Sequence, residues 1–294
     1  MTTELTPSAP LAHPQAARAH NLKPGLVDAT LDEKMAHLRG RLRELGQVIV
    51  GFSGGVDSAF LVSVAYEVLG DGCVALTAVS ASLPARERQE AEALAARIGV
   101  RHVLRESDEI HNPAYRANPQ NRCYFCKMAL FDIAEALQQE AGQGARTVIG
   151  TNVTDLKGHL PGLAAAKERG VLCPLVEAGF TKEDVREASR QIGLEVWDKP
   201  AFACLSSRFP YGTAITEERL SKVETCEDVL SDLGFRVFRV RYHDEMVRIE
   251  LGQDELSRVL DPKTREAILS RCKAVGFKYV AVDLEGYRRG SMNE

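Results

Sequence analysis

The segment NRCYFCKMALF sets Cys123 and Cys126 three positions apart at the start of an apolar run. A CXXC pair at a helix start serves as a redox couple, as part of a zinc site, or as two thiols turned into a core. For zinc, His111, His159 and His243 are the available further ligands, although none stands at a ligand-like spacing beside a cysteine. The chain of 294 residues carries seven cysteines, an odd number unevenly spread. In a reducing compartment that points to buried hydrophobes, metal ligands or reactive thiols and away from a disulfide framework. The expected compartment is the cytoplasm, since the residues after Met1 hold no apolar core of signal-peptide length and no run long enough for a membrane span. Cys73, Cys173, Cys226 and Cys272 stand in apolar or helical contexts and are expected to be buried.

A second chemical signal is SGGVDS, Ser53 to Ser58, directly after the apolar run QVIVGF. Gly54 and Gly55 let the backbone approach an anion, the helix that follows offers free N–H groups and its positive dipole end, and Ser53 and Ser58 add hydroxyl donors. The loop is suited to phosphates, but it lacks the lysine of GxxxxGK[ST], so transfer of a γ-phosphate is not its expected task. Asp57 stands where a carboxylate would hold Mg²⁺ against phosphate oxygens. Further on, Arg239 and Arg241 in FRVFRVRYH are two residues apart on an expected strand and so share a face, with Phe238 and Val240 on the other. Adjacent guanidinium groups repel unless an anion joins them, and phosphate fits their fork of donors; an acidic neighbour such as Glu250 is the other candidate. Tyr124 and Phe125 are suited either to stacking on a ring or to core packing.

Positioning these groups requires a fold. With 45% hydrophobic and 27% charged residues the chain is ordinary globular material, and a formal net charge of -4 leaves no footprint for non-specific nucleic-acid binding. Residues 1–30 are rich in Ala, Pro and His and are expected to form a disordered leader. From residue 31 the sequence alternates helix (LDEKMAHLRGRLRELG), strand (QVIVGF), helix (SAFLVSVAYEVLG), strand (CVALTAVS), helix (PARERQEAEALAARIG), strand (RHVL), helix (YFCKMALFDIAEALQQEAG) and strand (RTVIGTN). This rhythm predicts an α/β fold, a doubly wound parallel sheet with ligands at the carboxyl ends of its strands, over residues 31–211. After Gly212 the order becomes helix, strand, strand, helix, strand, which predicts a small α+β domain with an antiparallel hairpin over residues 212–294.

SGGVDS after a strand resembles the pyrophosphate-binding loop of the PP-loop ATP pyrophosphatases. GTNVTDLKGHLPGL, CPLVEAGFTKEDVREASRQIGL, WDKPAFACLSSRFPYG and GFKYVAVDLEGYRRGSMN together resemble the LarE family of ATP-dependent sulfur transferases, over nearly everything after residue 31. The resemblance implies an enzyme that uses ATP and Mg²⁺ to adenylate a carboxylate of pyridinium-3,5-biscarboxylic acid mononucleotide, releasing pyrophosphate. A sulfur nucleophile then displaces AMP, in biosynthesis of the nickel-pincer nucleotide cofactor. AMP is a good leaving group where carboxylate oxygen is a poor one, which is the chemical reason for the first step.

The resemblance also implies roles for residues. Lys127, Lys182 and Lys199 would neutralise phosphate charge, and Asp155 would contact the nucleotide or its metal. Ser207 and Arg208 of CLSSR would bind the substrate phosphate with Arg239 and Arg241. In family members with one cysteine at the position of Cys204, that residue gives up its own sulfur and becomes dehydroalanine. Members with a CXXC pair as well hold a 4Fe-4S cluster on three thiolates, leaving one iron open for a sulfide; Cys123, Cys126 and Cys204 match that pattern. The expected partners are a small-molecule nucleotide substrate and a sulfide or other sulfur donor, with no membrane or nucleic acid, and the expected assembly is a homo-oligomer formed through the C-terminal domain. Two other readings stand beside this one: a PP-loop tRNA thiolation enzyme, and a non-catalytic adenine-nucleotide binding protein with a structural zinc site.

Overall fold

Val48 and Val50 face one side of a strand and Ile49 the other, and all three are buried, which requires a sheet covered by helices on both faces. The computed structural model of the protein describes residues 24–140, 144–157, 161–200 and 202–288. Its helices are α1 (Leu31–Leu45), α2 (Val56–Leu69), α3 (Ala85–Ile98), α4 (Pro113–Arg116), α5 (Arg122–Glu140), α6 (Pro161–Glu168), α7 (Pro174–Glu177), α8 (Lys182–Gln191), α9 (Glu217–Asp232) and α10 (Pro262–Ala274). Its strands are β1 (Val48–Gly51), β2 (Cys73–Val79), β3 (Arg101–Glu106), β4 (Arg146–Ile149), β5 (Phe238–His243), β6 (Met246–Leu251) and β7 (Tyr279–Val282). Among the described residues no helix is long and apolar enough to cross a membrane.

The first sheet has the order β3-β2-β1-β4 and is parallel throughout, with Val50 between Ala75 and Val148. On one face Val48 and Val50 join Leu38, Leu42, Phe60, Leu61 and Val185 in the largest apolar cluster. On the other face Ile49, Leu76 and Val103 meet Ala134 and Leu137 of α5. The sheet is thus wound on both sides, as the alternation of strands and helices predicts. Leu38 and Leu42 are fully buried, and each such side chain contributes about 1.5–3 kcal/mol to holding α1 on the sheet. Thr30 and Glu33 cap α1 reciprocally, and Thr181 and Asp184 do the same for α8. Lys34 then ties the two helices through Asp184 at 2.7 Å.

The second sheet is β5-β6-β7, antiparallel between β5 and β6 and parallel between β6 and β7. Its hairpin turns at Asp244, whose φ of 49° supplies the left-handed backbone that a tight two-residue turn needs. The cluster beneath this sheet contains Val223, Leu230, Val240 and Ile249, and also Ile110, Tyr115, Leu205 and Phe209 from before residue 212. Those four belong to short helical turns and loops too brief to carry a periodicity that would announce them. Within the expected leader, residues 1–23 lie outside the described part, whereas Gly25 is seated by an N–H bond to the Val176 carbonyl at 3.1 Å.

At the carboxyl end of the first sheet the backbone of β4 passes very close to the start of α2. A Cβ on Gly150 would stand 2.8 Å from Asp57 C and from Ser58 N. Gly54, at φ 71°, takes the left-handed turn between β1 and α2, and a Cβ there would press on Ala91 at 3.0 Å. Gly150→Ala is therefore expected to force the start of α2 away from β4, at a cost of about 1–3 kcal/mol read as a lower urea midpoint. An unchanged midpoint would show that the contact is slack.

Candidate active site

The strand order places a crevice where the chain, having built β2 and β3 on one side of β1, returns to add β4 on the other; such reversals are where open α/β sheets bind ligands. A cleft of about 360 Å³ opens there. Ser53 and Gly55 line it from the first loop, Asp57 and Ser58 from the start of α2, Gly150, Thr151 and Asp155 from the segment after β4, Cys126 and Lys127 from α5, and Phe202 and Cys204 from the long irregular segment. The loop is braced internally. Ser58 Oγ donates to the Gly55 carbonyl at 3.0 Å and accepts from the Ser53 N–H at 3.2 Å. Gly55 at the N-cap of α2 provides no side-chain cap, so the first amides of the helix are left for an anion.

Asp57, in the first turn of α2, is engaged on both oxygens. Asn152 Nδ2 donates to one at 3.1 Å and Lys182 makes an ion pair with the other. Asp57 lines the cleft and its partner Lys182 is not among the lining residues. Lys199 is held between Glu87 and Glu90, each at 2.8 Å. Burial works to lower its pKa, but the two carboxylates outweigh it and the ammonium is held charged. Lys127 is the lysine of the three that lines the cleft. Asp155 closes a reciprocal cap with Asn152, its Oδ2 accepting from the Asn152 N–H at 3.2 Å.

The thiols divide as expected into two sets. Cys73, Cys173, Cys226 and Cys272 are buried. Cys126 and Cys204 face the cleft, whereas Cys123 is an exposed residue off its wall. Partial burial and the nearby Cys204 nonetheless raise its thiol, against the lowering influence of Arg122 and Lys127. Burial, then Cys204 and Glu109, push the Cys126 thiol up to about 12. Each thiol of the three therefore lies within electrostatic reach of another. Among the described residues no group of three or more His, Cys, Asp and Glu converges closely enough to hold a single metal ion. His111 is exposed beside Asp108, His243 sits at the end of β5, and His159 lies outside the described residues. Tyr124 and Phe125 pack edge to face on separate core clusters.

The arginines bear on Cys204 in a way that spacing did not reveal. Arg208 is fully buried and forks onto Glu227, 2.8 Å on both sides, while its Nη1 donates to the Ala203 carbonyl at 2.6 Å and the Cys204 carbonyl at 3.2 Å. Arg241 forks onto Glu250 at 3.0 and 2.7 Å and donates to the Ser207 carbonyl at 3.0 Å. Arg122 donates to the Ser206 carbonyl at 2.9 Å and to Asn118 Oδ1. Arg239 does share a face with Arg241, with Val240 in the core behind. It lies over the Phe202 and Tyr287 rings, and burial together with Arg208 lowers its pKa. It lines a second cavity of about 460 Å³, with Gly54 and Lys199, that shares Pro84, Glu87 and Phe202 with the first. Arg122, Asn118, Glu227 and Phe202 were not singled out from the sequence. Arg122 alone carried a signal, its place beside Cys123.

The family model described as NAD synthase matches residues 30–134. An uncharacterized protein of Synechocystis sp. is 43% identical over 263 residues, 90% of this chain and 98% of its own length. The pyridinium-3,5-bisthiocarboxylic acid mononucleotide synthase of Lactiplantibacillus plantarum is 34% identical over 267 residues, 90% of this chain and 96% of that enzyme. An uncharacterized protein of Methanocaldococcus jannaschii is 28% identical over 259 residues. Similarity to that synthase over 90% of this chain, in a protein whose cleft is built on the SGGVDS loop, makes the chain a member of the LarE family of ATP-using sulfur transferases in the PP-loop superfamily.

Proposed function

We propose that the protein adenylates a carboxylate of pyridinium-3,5-biscarboxylic acid mononucleotide and replaces the adenylated oxygen with sulfur, in biosynthesis of the nickel-pincer nucleotide cofactor. The observation that carries this reading is that Cys126 and Cys204 open into the same cleft as Ser53, Gly55, Asp57 and Ser58, so that activation and sulfur delivery have one address. The printed name of the Lactiplantibacillus plantarum relative, a bisthiocarboxylic acid mononucleotide synthase, supports the substrate class. Ser53, Gly54, Gly55 and Ser58 cradle the phosphates of ATP with the α2 amides. Asp57 would hold Mg²⁺, and Lys182, Lys127 and Asp155 complete the charge balance around the nucleotide. A substrate carboxylate oxygen attacks the α-phosphorus, the bond to the bridging oxygen of the β-phosphate breaks, and pyrophosphate leaves. Sulfur then adds to the acyl carbon, and the electron pair of the C–O bond departs with AMP. Arg239, which lines the second cavity, receives the substrate phosphate, braced by Ser207, Arg208 and Arg241.

The thiols of Cys123, Cys126 and Cys204 each lie within electrostatic reach of another of the three. In a four-iron cluster each cysteine binds a different iron, so Cys123, Cys126 and Cys204 would hold it. Bound there, it supplies an open iron for a labile sulfide.

Two outcomes test the reading. Mg²⁺-dependent release of pyrophosphate from ATP in the presence of the pyridinium substrate is expected to fall at least about 100-fold in Asp57→Asn, as loss of a metal-holding carboxylate would produce; retained release would sink the assignment of the loop. Protein purified without oxygen is expected to contain about four iron atoms per chain, lost in Cys126→Ala. Colourless wild-type protein whose Cys204 turns to dehydroalanine during turnover would replace the cluster with a sacrificial cysteine.

A further inference from the structure

Among the described residues four carboxylates line the cleft, those of Asp57, Glu87, Glu109 and Asp155. Three of them are met by nitrogen: Asp57 by Asn152 and Lys182, Glu87 by Lys199, and Asp155 by the Asn152 N–H. Glu109 is the exception. It is only 4% exposed, and among the described residues it takes part in no ion pair; its side chain has one partner, the Ser107 hydroxyl, which donates to Oε2. The basic residues nearest it in the chain are turned elsewhere, Arg105 to Glu140 and His111 to Asp108. A buried negative charge is costly unless a cation or a ligand compensates it. The backbone on either side of Glu109 is fixed. The Ser107 N–H donates to the Val79 carbonyl at 2.8 Å, tying the end of β3 to the end of β2, and Ile110 is held in the second apolar cluster. Cys126 and Cys204 line the same cleft. Thiols are poor company for Mg²⁺, a hard cation that takes oxygen ligands, but not for a flat organic cation.

We infer that Glu109 is the counter-anion of the substrate's pyridinium ring, and so selects a cationic ring over a neutral one. The inference rests on the pyridinium reading for the identity of the cation, whereas the negative site is argued from burial, contact and cavity alone. A ring that is to receive sulfur must come to Cys126 and Cys204, and Glu109 lines the cleft with both. Its Oε1, which accepts no hydrogen bond among the described residues, is the atom left to face the ring. An N-substituted pyridinium has no N–H to satisfy, so one carboxylate nearby compensates its charge without further acceptors. Arg239, on the wall of the second cavity, takes the phosphate at the other end of the nucleotide, and the two cavities share Pro84, Glu87 and Phe202.

Pyridinium-3,5-biscarboxylic acid mononucleotide and its 1,4-dihydro form, made by dithionite reduction, share ribose, phosphate and both carboxylates and differ in the charge of the ring. Each is titrated calorimetrically into the full chain in the presence of Mg²⁺ and α,β-methylene ATP, which cannot be cleaved between its α- and β-phosphates. The wild type is expected to favour the cationic form by at least about fivefold, the factor for one unit charge about 4 Å away in a water-like medium. Glu109→Gln is expected to abolish that preference by weakening the cationic form alone, and Glu109→Asp to keep it. Equal losses for both forms in Glu109→Gln overturn the inference, and so does a variant that loses affinity only for the ATP analogue. Should Glu109→Gln not fold, the wild type decides, since equal affinity for the two forms overturns the inference by itself. Binding of neither form by the wild type overturns it together with the substrate assignment, which keeps the two failures apart.

Discussion

Four backbone carbonyls in one short stretch, those of Ala203, Cys204, Ser206 and Ser207, accept hydrogen bonds from three buried guanidinium groups. A turn in a protein interior must find donors for such oxygens, and here they come from two distant parts of the chain, Arg122 on α5 and Arg241 on β5, and from Arg208 in the turn's own continuation. The turn can keep its shape only if the nucleotide-binding half and the C-terminal sheet are both in place. Cys204 therefore rides on an assembly, not on a helix or strand of its own, and Arg122 links its turn to the start of α5.

The arginines in turn need anions. Glu227 on α9 and Glu250 on β6 supply two, and both carboxylates are buried. Removing one partner of such a pair leaves an uncompensated charge inside the protein, at a cost of about 3–5 kcal/mol. That penalty accounts for the polar connections that thread the second apolar cluster, where Leu205 and Phe209 on either side of Arg208 are buried. Glu227 also accepts from the Val240 N–H at 3.1 Å, so one carboxylate fixes both the arginine of the turn and the strand that carries Arg239 and Arg241.

Much of this was legible in the residues. Period and strand alternation gave the parallel sheet, since Val48–Gly51 is too apolar for anything but a covered strand and α2 follows it after a loop suited to anions. The four structural cysteines were separable by context, because apolar neighbours leave a thiol little else to do. The shared face of Arg239 and Arg241 followed from the two-residue period of a strand. What spacing could not supply was partner choice. Nothing about Glu227 in a helix rich in acidic residues marks it as the mate of Arg208, and the suggestion that phosphate would join the arginine forks left open which anion sits there. For Arg208 and Arg241 it is a carboxylate of the chain itself. Nor does any pattern announce Asn118, whose unusual backbone matters only because Arg122 and Pro210 converge on it.

Phe202 stands on the wall of both cavities, together with Pro84 and Glu87. Two spaces divided by one ring are not independent containers: a ligand that pushes the ring toward its neighbour takes room from whatever occupies the other side. Occupancy on either side is thereby felt on the other with equal strength, since linkage between sites is reciprocal. A side chain in a segment without regular structure is thus common to two spaces, so the filling of one bears on the room left in the other, without setting which is filled first.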